Sequence, residues 1–419
     1  MSEHCSHLSI LDCTNPGSAS YQLTVYQPRL DALFHLLRKE HVICPQGLCP
    51  SLRHQGESTD RSMCGEQGSG SSCLPSNQNS QPEDSDGHRR KTLQIKPRWQ
   101  LAARAWAIQS AAFLAFRFMN RRSPPVTKTI WLDSTLGPWK GKGKIRVDIW
   151  EPPLTRAPDS RKSRSALINF HGGGFVLGRA TDDARWISAA AVALDAVVFS
   201  VNYRLAPRYP FPTAVEDCAD SIIYIHNHAE QLGVDINCIM VSGFSNGGNL
   251  ALASWVLLQE PIRWGYRPIS PPNIVGFALF YPLLDCTIGR PQKRLSCTRP
   301  DLTLPPALTD LFDTSYIHSA LQQVDMTDPR LSPGLMSDEL LDRLPPVHLC
   351  LCEYDMLLAE GMRFKERLRI RNKMVNVRTV AGEKHAWDKR PAIASKGSIR
   401  AEYSEAIKLL DACLIARRR

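Results

Sequence analysis

The residue pattern predicts an α/β fold, with a mostly parallel central sheet covered by helices on both faces. Two observations carry this. From Thr127 onward, short aliphatic and β-branched runs alternate with longer segments of helical spacing, and strands that alternate with helices pair in parallel through crossovers. Two of these strands also run directly into glycine-rich turns, His171-Gly172-Gly173-Gly174 and Gly243-Phe244-Ser245-Asn246-Gly247. Ligand sites of parallel sheets lie at that carboxyl edge.

Taken in order, residues 1–50 form an N-terminal cap segment with one helix expected from Gln27 to Lys39, where leucines and phenylalanine recur at helical spacing. Residues 51–92 are rich in Ser, Gly, Gln, Asn and Asp and nearly free of aliphatic side chains, so a flexible insertion is expected. Residues 93–124 bring an apolar helix. Arg104 and Arg117 interrupt it, and its uncharged run from Ala105 to Phe116 is too short to span a bilayer. A cap helix over the site is expected here, with a weak membrane-surface contact through residues 99–119 as the alternative.

Residues 125–419 are expected to form the catalytic domain, because they hold both glycine-rich strings. Its strands are Thr129 to Leu132, Ile145 to Trp150, Ala166 to Phe170, Ala196 to Val201, Cys238 to Val241, Ile274 to Phe280, Val347 to Cys352 and Val375 to Val380. Helices are expected from Ala214 to Gln231, from Asn249 to Trp255 and from Ser398 to Ala416. The stretch 287–335, between a sheet strand and Asp355, reads as a second cap piece.

The G-x-S-x-G string is the chemical centre. It follows a strand and opens a helix, which is the context of a nucleophile elbow: a sharp turn that exposes the serine, with small flanking residues where strand and helix approach. The helix N-terminus adds free N–H groups where an oxyanion would form. In the glycine string, the N–H groups of Gly173 and Gly174, with that of Asn246, can hold such an oxyanion. His171 and Gly172 shape the loop. Among 12 histidines, His385 is the candidate base because it follows the last strand and precedes the C-terminal helix. Asp355, at the end of its strand, would orient it. Asp285 and Asp301 are rival acids, read instead as turn or cap carboxylates.

With these strings in place, the chain resembles the hormone-sensitive-lipase family of α/β-hydrolases over roughly residues 125 to 415, fungal members among them. Val201-Asn202-Tyr203-Arg204-Leu205-Ala206-Pro207 and Asp328-Pro329-Arg330-Leu331-Ser332-Pro333 are similar to two further family signatures. The resemblance implies the α/β-hydrolase fold, a Ser245, Asp355, His385 triad and an oxyanion hole of Gly173, Gly174 and Asn246. Several positions depart from the family. Phe244 replaces an acid before the serine, Asn246 replaces alanine, Met356 replaces proline after the triad acid, and Ala386-Trp387 replaces glycine-phenylalanine beside the base. Phe244 and Trp387 are therefore expected to narrow the substrate pocket and to favour short and medium acyl chains.

The expected reaction is serine-dependent hydrolysis of a small carboxylic ester through an acyl-enzyme, without metal or organic cofactor. The alternative keeps the triad but applies it to a lactone, thioester or natural-product intermediate. A ligand receptor on the same fold is disfavoured because the histidine is retained.

Composition agrees. The 419 residues, 43% of them hydrophobic, suffice for one large core. The 13 cysteines are odd in number and show no paired framework, and the N-terminus lacks a hydrophobic signal core, so a reducing, cytoplasmic setting is expected. The six cysteines from Cys5 to Cys73 fit no common zinc spacing. The net charge of +10 is scattered and has no aromatic-basic interleaving, which argues against a nucleic-acid partner. The sequence leaves the oligomeric state open.

Overall fold

The computed structural model describes residues 98–119, 124–141, 143–152, 163–317, 324–390 and 397–418. All belong to one compact unit, Lys96–Arg419. The expectations for residues 1–50 and 51–92 lie outside the described residues.

In chain order the elements are α1 (Arg98–Met119), β1 (Lys128–Asp133), β2 (Lys144–Trp150), β3 (Arg164–Phe170), α2 (Ala184–Ala193), β4 (Ala196–Asn202), α3 (Thr213–Asn227), β5 (Val234–Phe244), α4 (Asn246–Gln259) and β6 (Ile274–Phe280). Then come α5 (Arg290–Leu295), α6 (Pro306–Tyr316), α7 (Asp338–Arg343), β7 (Val347–Tyr354), α8 (Leu358–Ile370), β8 (Val375–Lys384) and α9 (Gly397–Arg418). They form an eight-stranded sheet in the order β1-β2-β4-β3-β5-β6-β7-β8. Only the β1–β2 and β2–β4 pairings are antiparallel. The remaining pairings are parallel.

Strand alternation sorts the interior into two layers. On one face Ile168, Phe170, Val241, Leu279 and Leu349 pack with Val215, Ile222, Leu250 and Phe364 of α3, α4 and α8. On the other, Leu167, Val198, Met240, Phe244, Phe280 and Cys350 pack with Trp186 and Ile187 of α2 and Tyr403, Ala406 and Leu410 of α9. The inner strands β3, β4, β6 and β7 are buried on both sides, which is why they read as continuous apolar runs.

Three boundaries differ from the sequence reading. β5 begins at Val234 and tolerates its polar start through irregular pairing beside Arg164 and Ile239. α3 stops at Asn227, and the chain turns through residues 228–233 with Gly233 at a φ of 67°. β8 continues to Lys384, so it hands the chain directly to His385 without an intervening loop. The expected cap piece at 287–335 contains the short helix α5 and the longer α6. Gln109 of α1 donates to the Val176 carbonyl at 2.6 Å, just past the glycine loop.

Candidate active site

Ser245 stands at the junction of β5 and α4 with φ 54° and ψ −119°, a backbone state that a non-glycine residue occupies only when its surroundings enforce it. The enforcement is visible. Ser245 N–H donates to the Phe280 carbonyl at 2.8 Å, while its own carbonyl accepts from Asn249 N–H at 3.2 Å and Leu283 N–H at 3.3 Å. A Cβ on Gly247 would strike the carbonyl oxygens of Phe170 and His171, and one on Gly243 would strike the Gly247 carbonyl. The two glycines of the motif are thus required by close approach of backbone to backbone.

His385 and Asp355 meet Ser245 at this edge. His385 Nε2 lies 2.8 Å from Ser245 Oγ, and His385 Nδ1 lies 2.6 Å from Asp355 Oδ2. With the proton on Nδ1, the imidazole donates to the carboxylate and its Nε2 accepts from the serine hydroxyl. Asp355 is buried, and its other oxygen accepts from Leu357 N–H at 3.1 Å. The Tyr281 ring meets the imidazole edge-on at 4.8 Å. The rival acids lie elsewhere. Asp285 accepts from Thr287 N–H at 2.9 Å and pairs with Arg363 at 3.1 Å, and Asp301 pairs with Arg299 on the surface.

The glycine loop follows β3. His171 is buried, stacks on Tyr203 at 4.2 Å between centroids, and places Nδ1 2.8 Å from the Gly172 carbonyl. Burial lowers its pKa from 6.5 to about 4, so the ring is neutral at physiological pH and suits a structural part. Gly172 passes close over the nucleophile turn, where an added Cβ would sit 3.1 Å from the Phe244 carbonyl. Gly173 and Gly174 have φ of 124° and 62°, in the region that favours glycine. The Gly173 carbonyl accepts from Val176 N–H at 3.2 Å and Leu177 N–H at 2.8 Å.

The three expected oxyanion donors are not equivalent. Among the described residues, the N–H groups of Gly173 and Asn246 have no intramolecular acceptor, whereas Gly174 N–H donates to Asn246 Oδ1 at 2.7 Å. As the structure stands, two donors remain for an oxyanion.

The pocket assignment of Phe244 and Trp387 is overturned. Phe244 is fully buried below the sheet edge, stacked on Phe280 at 4.4 Å and flanked by Trp186 and Tyr403. It shares a face with Met240 because strand side chains alternate, so it points into the α2 and α9 layer and away from substrate. Trp387 is 2% exposed and packs in the same layer. Phe312 of α6 is the aromatic beside the oxyanion loop: a Cβ on Gly174 would overlap its ring. Behind it Phe175 stacks on Tyr316 at 3.7 Å.

Sequence reasoning missed a buried polar network beneath the base. Asp388 accepts from the Tyr281 hydroxyl and from the Tyr403 hydroxyl at 2.7 Å, and Lys389 lies 2.9 Å from Asp388 and 2.7 Å from Asp183. Asp183 also accepts from Asn169 Nδ2 at 2.9 Å. Arg204, from the 201–207 signature, and Asp217 of α3 form a second buried pair, in which Arg204 N–H and Nε both donate to Asp217.

Comparison with known proteins agrees with this fold. A family model described as the alpha/beta hydrolase fold matches residues 167–389. The chain is 32% identical over 228 residues to the esterase LipI of Mycobacterium tuberculosis, covering 54% of this chain and 65% of that protein. It is 30% identical over 226 residues to an arylesterase of Saccharolobus solfataricus, covering 54% and 69%. The match to the first of these relatives thus spans just under two thirds of its length. Among solved structures, the thermophilic carboxylesterase EstE1 from a metagenomic library superposes with a TM-score of 0.60 at 25% identity, covering 75% of this chain and 99% of that one.

Proposed function

Because this chain belongs to the hormone-sensitive-lipase-like branch of the α/β-hydrolase-fold family, we propose that it hydrolyses small carboxylic esters through a covalent intermediate on Ser245. The observation that carries this is the unbroken line from Asp355 through His385 to Ser245 Oγ, with contacts of 2.6 and 2.8 Å. His385 removes the hydroxyl proton as Ser245 attacks the carbonyl carbon, and Asp355 stabilises the imidazolium. The oxyanion forms against the N–H groups at the mouth of α4 and in the glycine loop. His385 then returns the proton to the leaving alcohol and activates the water that releases the acid.

The Phe312 ring, wedged against Gly174, supports a preference for short and medium acyl groups. The Gln109 contact to the Val176 carbonyl at 2.6 Å supports α1 as a cap over the loop. Trp99, Trp106 and Leu114 project from α1 into solvent, which supports weak contact with a membrane surface. No helix among the described residues is long and apolar enough to cross a membrane. The seven described cysteines are all free thiols, which supports a reducing, cytoplasmic setting.

The test is turnover of p-nitrophenyl esters graded from acetyl to palmitoyl, with Ser245→Ala beside the wild type. Loss of all but about one part in a thousand of the activity in the variant, and fluorophosphonate labelling of Ser245, are expected. A wild type without turnover, or an active Ser245→Ala protein, rejects the reading.

A further inference from the structure

Asn246 is nearly fully buried, at 1% exposure, and its carboxamide is seated at both ends. Oδ1 accepts from Gly174 N–H at 2.7 Å, and Nδ2 donates to the Tyr203 hydroxyl at 2.9 Å. That hydroxyl donates in turn to the His171 carbonyl at 2.8 Å. We propose that the Asn246 side chain withholds the Gly174 N–H from the oxyanion, so that ester hydrolysis, on the reading above, proceeds with two donors, the N–H groups of Gly173 and Asn246.

A backbone N–H has one proton, and a contact of 2.7 Å commits it. Releasing it requires the carboxamide to turn, which also breaks the buried bond from Nδ2 to Tyr203. The captured donor is beside the oxyanion position because its acceptor belongs to the residue whose own N–H lines that position. The carboxamide is not what shapes the loop. Gly173 is held through its carbonyl by Val176 and Leu177, His171 is held by Tyr203, and Gly174 is wedged against Phe312. Removing the side chain therefore frees a donor from a loop that stays in place. Asn246 is a positioning residue that sets how strongly the tetrahedral intermediate is stabilised.

Asn246→Ala tests this. One oxyanion donor is worth about a hundred- to a thousand-fold in rate elsewhere, and kcat is expected to rise about tenfold or more with KM held within about threefold. A trifluoromethyl ketone, which adds reversibly to the serine and leaves an oxyanion, is expected to bind tighter by a similar factor. Asn246→Asp keeps the acceptor on Gly174 and is expected to show neither gain. Unchanged or lower kcat and inhibitor affinity in Asn246→Ala, or an equal gain in Asn246→Asp, overturns the proposal.

A crystal structure of the wild-type protein carrying a phosphonate on Ser245 decides the matter without any variant. The adduct oxygen is expected on Gly173 and Asn246 N–H, with Gly174 N–H still on Asn246 Oδ1. A Gly174 N–H turned onto the phosphonyl oxygen overturns this inference alone, whereas failure to form any adduct at Ser245 removes the esterase reading and this inference together.

Discussion

Lys389 Nζ donates to Asp183 Oδ1 at 2.7 Å across 206 positions of chain, and the same ammonium lies 3.6 Å above the Phe244 ring. The pair ties the segment that carries His385 to the turn that opens α2. Burial alone would lower the Lys389 pKa, but Asp183 and Asp388 outweigh it and hold the ammonium charged. Burial would likewise raise the Asp388 pKa, and it is instead held below the ordinary carboxylate range by Lys389, Tyr281 and Tyr403.

Lys389→Met would leave two buried carboxylates without their cation. Breaking a buried pair in this way costs about 3–5 kcal/mol, and urea unfolding at pH 7 reads it directly. A loss under about 1 kcal/mol would show that the network is dispensable.

Asp355→Asn preserves shape but favours the wrong imidazole tautomer. On the proposed chemistry kcat falls about ten-thousand-fold with KM little changed. Steady-state kinetics with a butanoyl ester measure both, and a decrease of less than about tenfold would remove Asp355 from the proposed role.

The two aromatics flanking the serine and base belong to the core, so Trp387→Ala is expected to destabilise by about 3–5 kcal/mol without moving the acyl-length optimum. Phe312→Ala is expected to move it. Two additional buried methylenes at about 0.8 kcal/mol each amount to about tenfold, read as kcat/KM for hexanoyl relative to butanoyl esters. The opposite pattern, with Trp387→Ala shifting the profile, would return that side chain to the pocket.

His348 on β7 is fully buried, and neither ring nitrogen has a hydrogen-bond partner among the described residues. Burial lowers its pKa from 6.5 to about 4. On acidification the unfolded chain binds this proton first, so the stabilisation is complete above pH 6.5 and is lost as pH falls toward 4. The loss from this group amounts to about 3 kcal/mol. His348→Leu should flatten the acid limb by that amount, while His171, with the same sign of shift, retains its own share. Parallel slopes for the two proteins between pH 6.5 and 4 in denaturant titrations would contradict the assignment.

The meeting of Ser245, Asp355 and His385, the proposed nucleophile, acid and base, was legible because each follows the end of a strand, and strand ends of a parallel sheet converge on one edge whatever lies between them. Pocket walls were not legible by the same logic. Phe244 and Trp387 adjoin the reactive residues in sequence, but Phe244 shares the buried face of β5 with Met240, and Trp387 lies beyond the end of β8 in a short 3-10 turn whose direction no strand pattern gives. The Asn246 N–H followed from helix geometry, whereas its side chain depended on Gly174 and Tyr203, whose approach only the folded loop brings about. Nothing in the sequence around Lys389 marks it as buried, because its partner Asp183 lies 206 positions earlier.

The order of strands across the sheet also sets a schedule. Ser245 leaves β5 in the middle, and His385, 140 positions later, leaves β8 at the rim. During synthesis the serine emerges long before the imidazole exists. A domain folds as a unit, and Lys96–Arg419 is one such unit, so the growing chain carries Ser245 without its proposed base until the outermost strand has been made and has joined the sheet.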